Sequence, residues 1–533
     1  MKKNNKKTWK NFKHKDNIKN AVLAFQHMFA MLGATIVVPI LANMSISMAL
    51  IGAGLGTILF YFITQKKVPV FLGSSFAFLP ALMAIVGTKT PYTQEWQAAM
   101  ATAIVGILIA GTIYIIFSII IKFVGVQKIR KLFPAEVVGP IIILIGMILV
   151  PKMFYNNIIT TYGEPWKNWT TALITALTIV IINSVAPKDS FLKVIPILLG
   201  FVVGYIYAAI VGLIDYSDAF SKDNIIIFQN IGREFSFYKG FGLAKGSEYG
   251  TAILMIAPIA IVTFMEHLGD ISANSIICEK DFIVDPGLNR TILGDGVATM
   301  VSGLIGAPPN TTYGENTAVL AITKNYNPKN IFYAACLAIF FGIFSVFGDF
   351  LGTIPPAVIG GASIILFGMI SASGLRAIVD AKVDFNNSRN MIIVSIILSI
   401  GLGLNTMSMV GDALAQQGAD PNFANKFKIV AGDVEISPLA IATLVGIVLN
   451  LIMPNKEEKK AQYTYLNLTS EETDKEIVNI QEHNKETNND VDSIDVNEAT
   501  NEENSDVDVD TIEVDKATNE DNSEAKSNDD LNN

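Results

Sequence analysis

Two carboxylates four residues apart raise the first question about this chain. The segment TAILMIAPIAIVTFMEHLGDISANSII (251–277) is apolar until Glu266, His267 and Asp270. Ionisable residues inside a membrane-length apolar run are costly and mark functional sites by default. Positions 266 and 270 share one helix face, where two ionised carboxylates repel. In a low dielectric, one of the pair holds a proton near neutral pH or the two share a cation, which is the chemistry of ion-coupled transport. His267 points about 100° round the helix from Glu266, which suits a buried structural contact with another span. A further carboxylate, Glu315, stands in PPNTTYGEN (308–316), between the apolar runs GVATMVSGLIGA and TAVLAITKNY. Prolines and glycine there break the helix, and freed backbone N–H groups beside a helix N-terminus can grip carbonyl oxygens. Glu315 accepts hydrogen bonds instead, so a planar ligand with alternating N–H and C=O edges would be matched on both.

Elements able to position such groups fill most of the chain. Of 533 residues, 51% are hydrophobic and 16% charged, and the apolar residues come in blocks of about twenty, each enough to cross a bilayer as a helix. The composition predicts an all-α polytopic membrane protein. Fourteen apolar segments are expected, near 21–41, 46–65, 70–86, 97–121, 134–150, 168–185, 192–213, 251–277, 291–306, 312–323, 330–351, 355–377, 389–404 and 436–453, the third and tenth short or interrupted. The basic opening MKKNNKKTWKNFKHK precedes a span-length stretch with no small-residue cleavage pattern, so it reads as the approach to a first span and not as a removed signal peptide. With the N-terminus in the cytoplasm and the tail after Lys460 set aside, about 26 Lys and Arg fall on the cytoplasmic side and 9 on the other, as the positive-inside rule expects. Both termini are then cytoplasmic. Cys278 and Cys336 fall in or beside apolar segments and suggest no disulfide framework.

From Asn455 the chain changes character. It holds 7 Lys against 24 Asp and Glu, a net charge of −17, which leaves +8 on the remainder of a chain whose total is −9. IDVNEATNEENS (494–505) recurs there as IEVDKATNEDNS (512–523). Such composition has little apolar content to fold and predicts a disordered acidic tail over 455–533, with an acidic docking segment as the alternative.

A second repeat lies in the apolar body. PAEVVGPIIILIGMI (134–148) aligns without gaps with PAVIGGASIILFGMI (356–370), and FQHMFAMLG (25–33) parallels MEHLGD (265–270) through Gln26-His27 and Glu266-His267. Both pairs are seven segments apart. An odd offset reverses direction across the membrane, so the expectation is a seven-plus-seven inverted repeat, an architecture of secondary transporters. The equivalent broken segments are VPVFLGSSFAFLPAL (68–82) and PPNTTYGENTAVLAI (308–322). Paired broken segments point to a midplane site, because unwound backbone is tolerated only where it lines a cavity.

At these residues the sequence resembles the nucleobase-cation symporters, also called nucleobase-ascorbate transporters, and within them the bacterial uracil permease branch. The resemblance runs from about Asn20 to Pro454 on FQHMFAMLGATIVVP, FLGSSFAF, EHLGD, DPGLNR, GAPPNTTYGENTAVLAITK and IPPAVIGGASIILFGMISASGLR. It implies a cell (plasma) membrane importer of uracil by proton symport. The implied organisation is a basic N-terminus (1–20), a core domain from 21–122 and 251–351, a gate domain from 134–213 and 355–453, and short strands in segments 3 and 10. Substrate binding is implied for Phe76, Glu266, Gly314 and Glu315, with backbone amides near Phe76 and Gly314 meeting the ring carbonyls. Proton coupling is implied for Asp270 and Glu315, and support for His27, Ser75, Tyr313, Asn316 and Phe367. A homodimer through the gate domain is also implied. The chain departs from the best-known uracil pattern at Asp270, where that pattern has His, and at Phe367, where it has Tyr. The first departure leaves Na⁺ beside the proton as the coupling ion.

Other functional classes fit less well. A channel needs a continuous polar pore, whereas these acids cluster at one depth. A membrane enzyme could use Glu266, His267 and Asp270 as metal ligands, but no nucleophile-plus-base pattern stands out, and neither a cofactor nor a metal is expected. Nucleic acid is not expected as a partner, since the basic residues are distributed as a topology signal and the tail is acidic. A purine or xanthine symporter is the runner-up.

Overall fold

The computed structural model describes residues 3–125, 133–159, 163–187, 190–214 and 231–453, apart from a few positions between 417 and 433, with side chains from Asn20 onward. Much of the basic loop after the fourth segment, part of the long 214–248 loop and the acidic tail lie outside the described residues.

Prolines and hydroxyls set the helix starts. The first helix, α1 (Lys3–Leu41), leads to α2 (Ile46–Ile63), where the Ser45 hydroxyl accepts the Met48 amide at 3.3 Å. A strand β1 (Leu72–Ser74) and a short helix α3 (Leu79–Ile85) follow, then α4 (Gln94–Val124), capped by Thr93. Next come α5 (Ala135–Met153), α6 (Pro165–Val185) and α7 (Pro196–Ile210), the last two with proline at the first helical position. The second half holds α8 (Gly246–Ile256), α9 (Ile259–Cys278), α10 (Leu288–Leu304), β2 (Asn310–Thr312) and α11 (Gly314–Thr323). It ends with α12 (Pro328–Ile343), α13 (Ser345–Gly352), α14 (Pro356–Asp380), α15 (Ser388–Gln416) and α16 (Pro438–Ile452). Among the described residues, eight helical stretches are long and apolar enough to cross a membrane, or nine if α12 and α13 form one bent span. The chain is therefore a mostly helical, multi-pass membrane protein.

Two apolar runs differ from straight spans. The run near 251–277 belongs to one 33-residue stretch, Gly246–Cys278, in which α8 passes into α9 through a turn at Ala257 and Pro258, where proline has no N–H to continue the ladder. The run near 330–351 bends by 80° between α12 and α13, at Phe344, whose backbone is extended.

The two expected strands are present. They pair antiparallel, with Leu72 opposite Thr312, Gly73 opposite Thr311 and Ser74 opposite Asn310. Two exposed backbone edges inside a membrane protein would be costly, and pairing satisfies them mutually. Further bonds extend the ladder, Ser75 N–H to the Pro309 oxygen at 2.8 Å and Tyr313 N–H to the Phe71 oxygen at 3.1 Å. Thr57 of α2 braces it, accepting the Leu72 amide at 2.9 Å.

The repeated helices α5 and α14 pack directly on each other. Gly139 faces the Gly374 oxygen, and a methyl group built on Gly146 would stand 2.4 Å from the Phe367 oxygen. Only small residues allow this approach, the usual basis of helix association where the solvent is as apolar as the side chains.

Candidate functional site

The structure gathers the predicted residues around the strand pair. Glu266 and Asp270 project from α9, while Gly314 and Glu315 begin α11 directly after β2. All three carboxylates are half-buried, and Gly269 and Gly314 between them are exposed, so the acids border an opening and not a sealed core. Gly314 adjoins Asp270, since a methyl built on it would lie 4.0 Å from Oδ1. The Thr312 hydroxyl donates to Asp270 Oδ2 at 2.5 Å, which ties α9 to the end of β2. Phe76, half-buried between β1 and α3, packs against the main apolar cluster.

The supporting residues fall around this cluster. The Tyr313 hydroxyl donates to the Ser74 main-chain oxygen at 2.7 Å and accepts from the Thr35 hydroxyl at 3.3 Å. The Asn316 amide donates to the main-chain oxygen of His27 at 2.9 Å and lies 3.2 Å from its Nδ1. His27 thus ties α1 to α11. Ser75 is fully buried beside the strands. Phe367 is buried on α14, its main-chain oxygen facing Gly146 of α5, in the same apolar cluster that Phe76 packs against.

His267 turns away from Glu266, as the helical angle required. Its Nδ1 is 3.3 Å from Asp295 Oδ2 on α10, both side chains are fully buried, and its ring meets Phe60 at an edge. The would-be metal triplet is accordingly divided, with Asp270 turned to Thr312 and His267 to Asp295. Sequence reading missed Asp295, although TILGDGVATM places an acid in an apolar run by the same rule that found Glu266. It also missed Thr312, Asn274 and Asn310. The Asn310 amide donates to the Gly52 oxygen at 2.9 Å, and its own main-chain oxygen accepts the Thr299 hydroxyl at 2.9 Å.

A separate cavity of about 1180 Å³ lies between α3, α4 and α8 on one side and α5, α15 and α16 on the other. Lys89, Glu95, Lys152, Lys245, Glu248 and Asp412 give it a mixed-charge lining, and it includes none of the clustered carboxylates.

Broken segments paired as strands, half-buried acids and a body of membrane-length helices describe a multi-pass membrane permease. Residues 18–410 match the Xan_ur_permease family, a permease family, and the chain belongs to it, within the nucleobase-ascorbate transporters. It is 38% identical over 445 residues to the uracil permease of Bacillus caldolyticus, covering 82% of this chain and 92% of that one. Against the uracil permease of Bacillus subtilis (strain 168) the identity is 36% over 446 residues, with 82% and 93% covered. Solved structures of similar fold include the transmembrane domain of a cyanobacterium bicarbonate transporter, BicA (13% identity, TM-score 0.50, covering 81% of this chain and 96% of that one). Another is the murine Solute Carrier 26 family member A9 anion transporter in its inward-facing state (10% identity, TM-score 0.55, 82% and 68% covered).

Proposed function

We propose that this protein imports uracil across the cell membrane by proton symport. The observation that carries the reading is the strand pair, which joins the segment leading into Phe76 to the segment that begins α11 at Gly314 and Glu315 and is tied to α9 through Thr312 and Asp270. Glu266 and Glu315 accept the ring N–H groups, the backbone amides near Phe76 and Gly314 donate to the ring carbonyls, and Phe76 packs on the ring. The names of the relatives, uracil permeases, support the choice of base.

The eight long helices, the bent pair, the two shorter apolar helices α7 and α16, helix α10 and the two broken segments together make fourteen crossings in two inverted sevens, with both termini cytoplasmic. Segments 1 to 4 and 8 to 11 form the core domain and the remainder the gate domain, through which two copies pair. The contact of α5 with α14, and of β1 with β2, support a repeat in which matched elements meet. In this orientation the large cavity opens outward between core and gate. Protonation at Asp270 and Glu315 removes the charge penalty of moving the loaded site, and the two domains shift against each other around it. Sodium in place of the proton is the variant that Asp270 keeps open.

Labelled uracil uptake in cells lacking their own permease, with unlabelled bases as competitors, tests the substrate. Competition by uracil at far lower concentration than by xanthine, guanine or adenine is expected; the reverse order would make this a purine symporter.

A further inference from the structure

We propose that Asn274 and Thr317 form a latch that fixes the separation of the helices carrying Asp270 and Glu315, making Asn274 a positioning residue of the transport site. Asn274 lies one turn beyond Asp270 on α9 and is 1% exposed. Its side-chain amide donates twice, to the Asp270 main-chain oxygen at 3.1 Å and to the Thr317 hydroxyl at 2.8 Å. Thr317 is itself buried, two residues after Glu315 on α11.

The segment bearing Glu315 is thus fastened to α9 at two points, before it through Thr312 and Asp270 and after it through Thr317 and Asn274. Asn316, between them, fastens it to α1. The two fastenings to α9 differ in kind. The first ends on a carboxylate, and a hydrogen bond to a charged acceptor is roughly twice as strong as a neutral one, so it weakens when Asp270 takes a proton. Neither partner of the second titrates. The latch therefore keeps the start of α11 in register with α9 in every protonation state of the acids. Because both partners are buried, removing one strands the other, and that penalty exceeds the net value of the bond.

The inference rests on reading this cluster as a uracil site. Its test is uracil uptake kinetics by the full-length chain, normalised to the amount of protein in the membrane. Asn274→Ser keeps a hydroxyl that can bond back to its own helix but falls short of Thr317; Thr317→Val removes the hydroxyl at constant shape; Thr317→Ser retains it. A KM raised about threefold to tenfold is expected for N274S and T317V, with T317S within about twofold of the unsubstituted chain. The double variant should be no worse than the worse single one, because the two side chains share one bond. Unchanged KM in N274S and T317V, multiplying effects in the double variant, or loss confined to protein abundance would each overturn the latch. Failure of the unsubstituted chain to take up uracil would count against the uracil reading before any variant is compared, and the latch would fall with it.

Discussion

The Tyr313 hydroxyl donates to the main-chain oxygen of Ser74 at 2.7 Å, joining the broken segment of one half of the chain to that of the other. It also accepts from Thr35 on α1, so three elements meet on one buried oxygen. Tyr313→Phe keeps the ring and strands the buried Ser74 oxygen, while Thr35 retains the Met31 sulfur as acceptor, at a cost of about 1–3 kcal/mol. Uracil uptake by Y313F should show a KM raised by about tenfold; an unchanged KM would mean that the strands hold the site without this bond.

Gly73 has little room for a side chain. A methyl group there would stand 2.5 Å from the Tyr313 ring and 2.8 Å from the Thr35 hydroxyl. Gly73→Ala should force β1 away from Tyr313 and abolish most uptake. Near-normal uptake in G73A at normal abundance would show that the strand pair tolerates displacement.

Glu315→Gln keeps the shape and a hydrogen-bonding oxygen but cannot carry a proton. E315Q should retain some saturable uracil binding yet lose gradient-driven accumulation. Normal accumulation by that variant would remove Glu315 from the coupling role.

A buried ion pair that touches none of the clustered acids tests stability separately from transport. Arg389 Nη1 lies 2.9 Å from Glu136 Oε1, with side chains 10% and 8% exposed, and the guanidinium also bonds Asn390 and Asn450. These bonds join the starts of α5 and α15 to the end of α16. Removing one partner of a buried pair leaves an uncompensated charge and costs about 3–5 kcal/mol. Glu136→Gln should lower the melting temperature in detergent by several degrees while leaving the uracil KM unchanged. An unchanged melting temperature would show that the other acceptors satisfy Arg389.

What the sequence made legible was what local signals encode. Pro69, Pro308 and Pro309 break their helices wherever the chain goes, so the broken segments could be read directly, and the parallel between Gln26-His27 and Glu266-His267 placed both histidines in spans. The 100° step per residue was enough to turn His267 from Glu266. Its partner Asp295 lies on another helix, and no periodicity names a partner. Thr312, Asn274 and Thr317 were equally hidden, because threonine and asparagine in a span commonly bond their own helix and only tertiary packing decides otherwise. The bend at Phe344 was also unread, since no proline marks it.

Accumulation of labelled uracil in permease-deficient cells, in sodium-free buffer with and without a protonophore, tests the central claim most directly. The proton symport reading predicts accumulation that the protonophore abolishes. Accumulation that survives the protonophore, or that requires sodium, would contradict it.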